Sequence, residues 1–167
     1  GVAPVGLRST RRTAALVTLP PPHDPADWPL VTDVADTFYA KPEAGGLLLS
    51  PCDATPADPG RRVRADDLDV AIAVERFHAA VDLRIRGVSH TWAGLRTSVA
   101  DDTPVIGEDP GSPGFFWLAG LGGYGVQAAP AVGELLAALA AGIEPPAATA
   151  ALTPALAPGR EFAATVG

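Results

Sequence analysis

The chain has 167 residues, 47% of them hydrophobic, and a mean hydropathy of +0.20, enough to bury the core of about one domain. Its formal net charge of −7, with no basic run longer than the pairs Arg11-Arg12 and Arg61-Arg62, argues against nucleic acid or an anionic membrane surface as a partner. A single cysteine, Cys52, excludes an internal disulfide and a thiolate metal cage, and His23, His78 and His90 lack ligand spacing, so no metal is expected.

The longest apolar stretch, Leu135 to Ile143, is too short to span a bilayer, and the start "GVAPVGLRSTRR" has no signal pattern. A soluble, cytoplasmic chain is expected. It contains no methionine and begins at glycine, which hints at residues upstream of Gly1.

"RTAALVTL" (Arg12 to Leu19) is β-branched and apolar enough for a strand, and the proline-rich "PPPHDPADWP" after it reads as a loop. "DTFYAKP" and "GGLLLSP" predict two short strands around the turn Glu43-Ala44-Gly45, a hairpin. "ATPADPGRR" then crosses the surface. In "ADDLDVAIAVERFHAAVDL", Leu68, Ala71, Ile72, Phe77 and Val81 fall at helical spacing behind an acidic first turn, which predicts a helix from about Asp67 to Leu83. "GVSHTWAGLRTSVADDTPVIG" predicts a strand to about Val99 and then a polar turn. "GFFWLAG" predicts another strand and "APAVGELLAALAAG" a second helix, with Pro130 tolerated near its start. From Ile143 the chain reads as an Ala/Pro tail.

Gly120, Gly122 and Gly125 spell G-x-G-x-x-G between that strand and that helix. The local context suits a dinucleotide turn. The sequel does not: a second parallel strand with a ribose-binding acid should follow, and "IEPPAATAALTPALAPG" is proline-rich instead. The glycines are open to a cofactor but do not begin a Rossmann unit.

Taken in order, "RRTAALVTLPPP", "DTFYAKPEAGGLLLSPCDATPADP", "HTWAGLRTSVADDTPVIGEDP" and "GFFWLAGLGGYGVQAAPAVGELLAAL" resemble the C-terminal half of the FAD-dependent D-amino-acid oxidase and dehydrogenase superfamily, most closely its D-arginine dehydrogenase type. The resemblance implies an α+β chain. Residues 9–100 are the substrate-domain-like region, a mixed or antiparallel sheet with a flanking helix. Residues 1–8 and 101–142 are the C-terminal part of an FAD-binding domain whose N-terminal half is absent, and 143–167 are the tail.

The resemblance also implies roles. Arg96 in "WAGLR" matches a residue that binds the substrate carboxylate, a task for which a planar fork suits better than an ammonium; by itself it reads as an exposed strand arginine. Tyr39 in "FYAKP" matches a donor to the same carboxylate, or is a half-buried strand aromatic. Arg12 matches a second substrate arginine, or is a solvated strand end. Gly122, Gly123, Tyr124, Gly125, Val126 and Gln127 match a loop over the flavin ring, where main chain approaches closely and a helix start offers N–H groups; otherwise they form a helix-packing turn. His78, His90, Trp92 and Cys52 read as structural.

Two readings stay open. The chain is a fragment or subunit of a flavin-dependent oxidoreductase acting on an amino acid, inactive and unable to retain FAD without an N-terminal half or a partner chain, and prone to self-association. Alternatively, it is a non-catalytic small-molecule-binding or interaction subunit derived from the substrate domain.

Overall fold

In the computed structural model, which describes residues 1–161, the chain divides into two compact units: Thr10–Leu95, here the sheet unit, and Gly1–Ser9 with Arg96–Gly167, here the hairpin unit. The last six residues of the expected Ala/Pro tail, 162–167, lie outside the described residues.

The sheet unit is built on β1 (Arg8–Thr18), whose first two residues belong to the other unit. Its partners are β3 (Tyr39–Glu43) and β4 (Gly46–Ser50), flanked by the two-residue strands β2 (Val31–Thr32) and β5 (Thr55–Pro56). The order is β2-β3-β4-β1-β5, with β6 (Gly87–Ser98) also paired to β1. Every register pairing is antiparallel: Ala15 faces Leu49, which faces Ala40, and Val17 faces Leu47, which faces Pro42. β1 and β6 also run antiparallel, since Arg86 N–H donates to Thr18 C=O at one end and Ser9 meets Thr97 at the other. The β3–β4 hairpin turns on Ala44 and Gly45, both at positive φ (47° and 74°), the backbone a two-residue primed turn requires.

α1 (Asp67–Ala80) covers one sheet face. Its Ala73 and Phe77 share a core cluster with Ala15, Val17, Ala40, Leu47 and Leu49, with Val70, Val74 and Val81 packed beside them. The buried stripe therefore runs through Val70, Ala73, Val74, Phe77 and Val81. Leu68, expected on it, is 66% exposed. Because side chains alternate along a strand, the odd residues of β1 point at α1 and the even ones point away.

The hairpin unit contains β7 (Val105–Glu108) and β8 (Phe116–Ala119), paired from Val105↔Ala119 to Glu108↔Phe116. β7 falls where the sequence predicts only a polar turn. Four residues after "ADDTP" are too few for a visible alternation, yet Val105 and Ile106 are fully buried. Asp109 closes the hairpin by accepting from Gly111 N–H and Trp117 Nε1–H, each at 2.9 Å. α2 (Gly125–Ala141) follows β8 and packs on both strands, burying Leu135 and Ala138. It starts at Gly125, ahead of the expected "APAVGELLAALAAG" segment, so Pro130 sits inside it, and it ends on Gly142 at φ 64°. The region expected as a tail carries two single-turn helices, α3 (Ala147–Ala150) and α4 (Thr153–Leu156). It is fastened by Arg160, which pairs with both oxygens of Asp101 at 3.0 Å and donates to Thr103 C=O at 2.6 Å.

Candidate active site

In the hairpin unit, the chain leaves β8 through Gly120, which is buried at φ 71°; a Cβ there would meet Val99 at 3.6 Å and Leu7 at 3.8 Å. Those are ordinary contacts, so it is the positive φ that calls for glycine. Gly122, at φ 53°, donates its N–H to Thr97 C=O at 2.9 Å, which ties the loop to the end of β6. Arg96 lies at that same strand end. A methyl group placed on Gly123 would sit 3.7 Å from Arg96 Nε with nothing else within 4 Å, so main chain is laid open beside a guanidinium. The Arg96 side chain is exposed and makes no hydrogen bond or ion pair among the described residues.

The loop runs straight into α2. Tyr124 is the N-cap; no side chain caps the helix and its first turn holds no acidic residue. The first N–H groups of a helix lack internal acceptors and carry the positive end of its dipole, so this terminus is a donor array facing solvent, with Val126 94% and Tyr124 69% exposed. Open glycine backbone next to uncapped N–H groups fits the electron-rich edge of a planar cofactor ring.

In the sheet unit, Arg12 and Tyr39 lie on the same face. Ala40 and Leu49 belong to the α1-facing row, so Tyr39 and its partner Ser50 point the other way, as does even-numbered Arg12. The Cys52 thiol, near enough to Arg12 to feel its charge, donates to Asp36 Oδ1 at 3.7 Å. Burial first, and the Asp36 charge second, push that thiol up to about 11, so Cys52 stays protonated at neutral pH and serves as a neutral neighbour to Arg12.

Other candidates are structural. Arg11, one residue from Arg12, turns toward α1, where it pairs with Asp53 (3.5 Å), Asp66 (3.9 Å) and Asp69. Asp53 also accepts from Thr13 N–H at 2.6 Å and Thr13 Oγ1–H at 3.0 Å. His78 Nε2 accepts from Ile85 N–H at 3.0 Å, which fixes the exit from α1. His90 and Trp92 stack with ring centroids 5.7 Å apart.

Arg96 therefore stands beside the Gly122–Gln127 loop, and Arg12 shares a sheet face with Tyr39. Sequence reasoning missed the Arg12–Cys52–Asp36 contact and the Arg160–Asp101 clamp, because both join residues separated by turns whose geometry no local pattern encodes. The one available signal was Arg160 itself, the lone basic residue of an Ala/Pro segment.

The family model described as FAD dependent oxidoreductase (DAO) matches residues 3–139. The tRNA 5-methylaminomethyl-2-thiouridine biosynthesis bifunctional protein MnmC of Caulobacter sp. (strain K31) is 35% identical over 124 residues, covering 67% of this chain and 19% of that protein. Glycine oxidase from Geobacillus kaustophilus superposes with a TM-score of 0.73 at 23% identity, covering 98% of this chain and 41% of that one. L-amino acid deaminase from Proteus vulgaris gives 0.66 at 14% identity, over 95% of this chain and 47% of that one. The chain thus spans from a fifth to less than half the length of these relatives. The match over 3–139, across the glycine loop and both groups of candidate residues, shows that the chain belongs to the DAO family of FAD-dependent oxidoreductases.

Proposed function

We propose that this chain supplies the substrate-binding sheet and the flavin-covering loop of an FAD-dependent oxidoreductase that oxidises an amino acid or related amine at the carbon bearing nitrogen. The observation that carries this reading is the placement of Arg96: an unpaired guanidinium beside open glycine main chain, at the uncapped start of α2, inside a DAO-family match. The sheet unit corresponds to the substrate domain and the hairpin unit to part of the FAD domain.

When bound, FAD is the two-electron acceptor for the Cα hydrogen. We assign Arg96 of the hairpin unit a bidentate pair with the substrate carboxylate and, separately, Tyr39 and Arg12 of the sheet unit a substrate-binding role. The backbone N–H groups from Gly125 to Gln127 point the positive end of α2 at the flavin edge that gains negative charge on reduction. The carbonyl near Gly123 orients the substrate amine. The imine product then hydrolyses to a 2-oxo acid and ammonia. No strong base is needed from these residues, since the amine proton can leave to water.

The D-arginine dehydrogenase resemblance favours a D-amino acid, whereas two of the relatives are named for glycine and for L-amino acids. Handedness depends on which face of Cα is presented to the ring. The adenosine and pyrophosphate of FAD need a glycine turn and a ribose-binding acid that these residues do not provide, so the 167-residue chain should retain no FAD through gel filtration. A yellow, flavin-loaded chain would overturn that domain assignment. The test of function uses a flavin-loaded protein that contains this chain: amino acids of both hands are offered without dioxygen and flavin bleaching is followed. Bleaching is expected with wild type. In Arg96→Leu, kcat/KM should fall by the equivalent of about 2–5 kcal/mol, because the carboxylate is left desolvated and unpaired. Unchanged kcat/KM would remove Arg96 from the site.

A further inference from the structure

Beneath the loop that follows β1, the sheet unit contains a cavity of about 200 Å³. Phe38, Ala40 and Leu47 make its floor, Phe77 of α1 a wall, and Trp28 and Val31 its far side; all eight lining residues are apolar. The floor and wall are fully buried, whereas Val31 keeps 45% of its surface in water, so the cavity has a route to solvent. It opens on the α1 side of the sheet, opposite the face that carries Arg12 and Tyr39, and is independent of the flavin reading.

Packed interiors leave few voids larger than a water molecule, so this one is large. At roughly 30 Å³ per molecule it has room for about six waters, each of which needs two to four polar partners. Apart from the Trp28 indole N–H, the lining side chains consist of carbon and hydrogen, so a water cluster would go largely unbonded. A dry apolar cavity of about 150 Å³ is large enough for benzene. By the same ratio this one holds roughly eight heavy atoms. Three of its lining side chains, Trp28, Phe38 and Phe77, are aromatic and favour an aromatic guest through edge and offset contacts.

The geometry points to a binding site for one small uncharged aromatic molecule, of the size of toluene or indole, between the β3–β4 hairpin, α1 and Trp28. A charged guest of equal size is disfavoured, because no lining group replaces its hydration.

The test titrates toluene and benzylammonium separately into the 167-residue chain, followed by thermal melting and by NMR contacts between ligand protons and the methyls of Leu47 and Val31. Toluene is expected to saturate, to raise Tm by linkage and to show those contacts, with benzylammonium weaker by at least roughly tenfold. Ala40→Leu fills the floor and should melt no lower than wild type while losing the toluene effect. The proposal is overturned by the absence of saturable toluene binding, by equal binding of the two probes, or by full binding in folded Ala40→Leu. Should that variant fail to fold, toluene that binds wild type without touching Leu47 or Val31 overturns it equally.

Discussion

The two long helices begin in opposite ways. α1 starts on Asp66, whose carboxylate accepts from Leu68 N–H at 3.0 Å; Asp67 and Asp69 follow, and Arg11 docks onto Asp66 and Asp69 from the sheet. α2 starts on Tyr124 with no side-chain cap and no acid in its first turn. Both ends carry the same partial positive charge and the same surplus of N–H donors. At α1 the fold meets them internally, and the excess carboxylate charge is balanced by the half-buried Arg11. At α2 they are left to the outside, beside a second arginine, Arg96, that is also unpaired. The chain has 19 acidic residues, yet none stands in the first turn of α2, and this contrast with α1 is what the proposed cofactor contact of the Gly122–Gln127 loop rests on.

The largest expected effect tests the closed end. Arg11→Met leaves Asp53, whose side chain is 7% exposed, and its neighbours without their cation. Stability should fall by about 2–4 kcal/mol, short of the worst buried-pair losses because Arg11 itself keeps some contact with water. Urea denaturation measures it; a loss below about 1 kcal/mol would mean that α1 is held by its cap alone.

Smaller, and opposite in sign, are the effects of exchanging the two caps. Asp66→Ala should cost about 1 kcal/mol, whereas Tyr124→Asp should add about 0.5–1 kcal/mol by giving α2 the acceptor and negative charge it lacks. In the flavin-bearing protein the same Tyr124→Asp change should weaken cofactor retention. If Tyr124→Asp proves destabilising by thermal melting, the α2 start is already satisfied and the contrast fails.

The smallest effect concerns the hairpin unit's own ion pair. The Arg160 hydrogen bonds hold the Asp101 carboxyl below the usual carboxylate range, helped by Thr103 N–H and opposed by burial. The folded pKa lies below the unfolded one, so this stabilisation is complete above the unfolded value, near pH 4, and disappears as pH falls through the lower folded value. Asp101→Asn should therefore melt up to about 1 kcal/mol less stably at neutral pH and converge on wild type in acid. A gap that persists in acid would assign the loss to packing of residues 157–160 instead.

Much of the architecture could be read locally. β1, the hairpin turn at Ala44-Gly45, α1 and β6 announce themselves because alternation, turn chemistry and helical periodicity are properties of consecutive residues. The order of these segments also sufficed to place the chain in its superfamily. β7 was hidden by its brevity, and Leu68 fell off the buried stripe because the periodicity around it admits two neighbouring faces, between which only the contact with Ala15 and Leu47 decides. The arginines show the same limit. Nothing in the pair Arg11-Arg12 says which one turns to α1; pleating sends them to opposite faces, and the register of β1 against β4 sets which face meets the helix. The glycine motif at 120, 122 and 125 was legible as spacing, but its meaning came from Thr97 C=O holding Gly122 and from Arg96 standing beside Gly123. Sequence determined the elements, since these depend on near neighbours along the chain. Which charges are neutralised and which are left open depended on partners 40 to 60 residues away, such as Asp53 for Thr13 and Asp69 for Arg11, and only the tertiary fold brings those together.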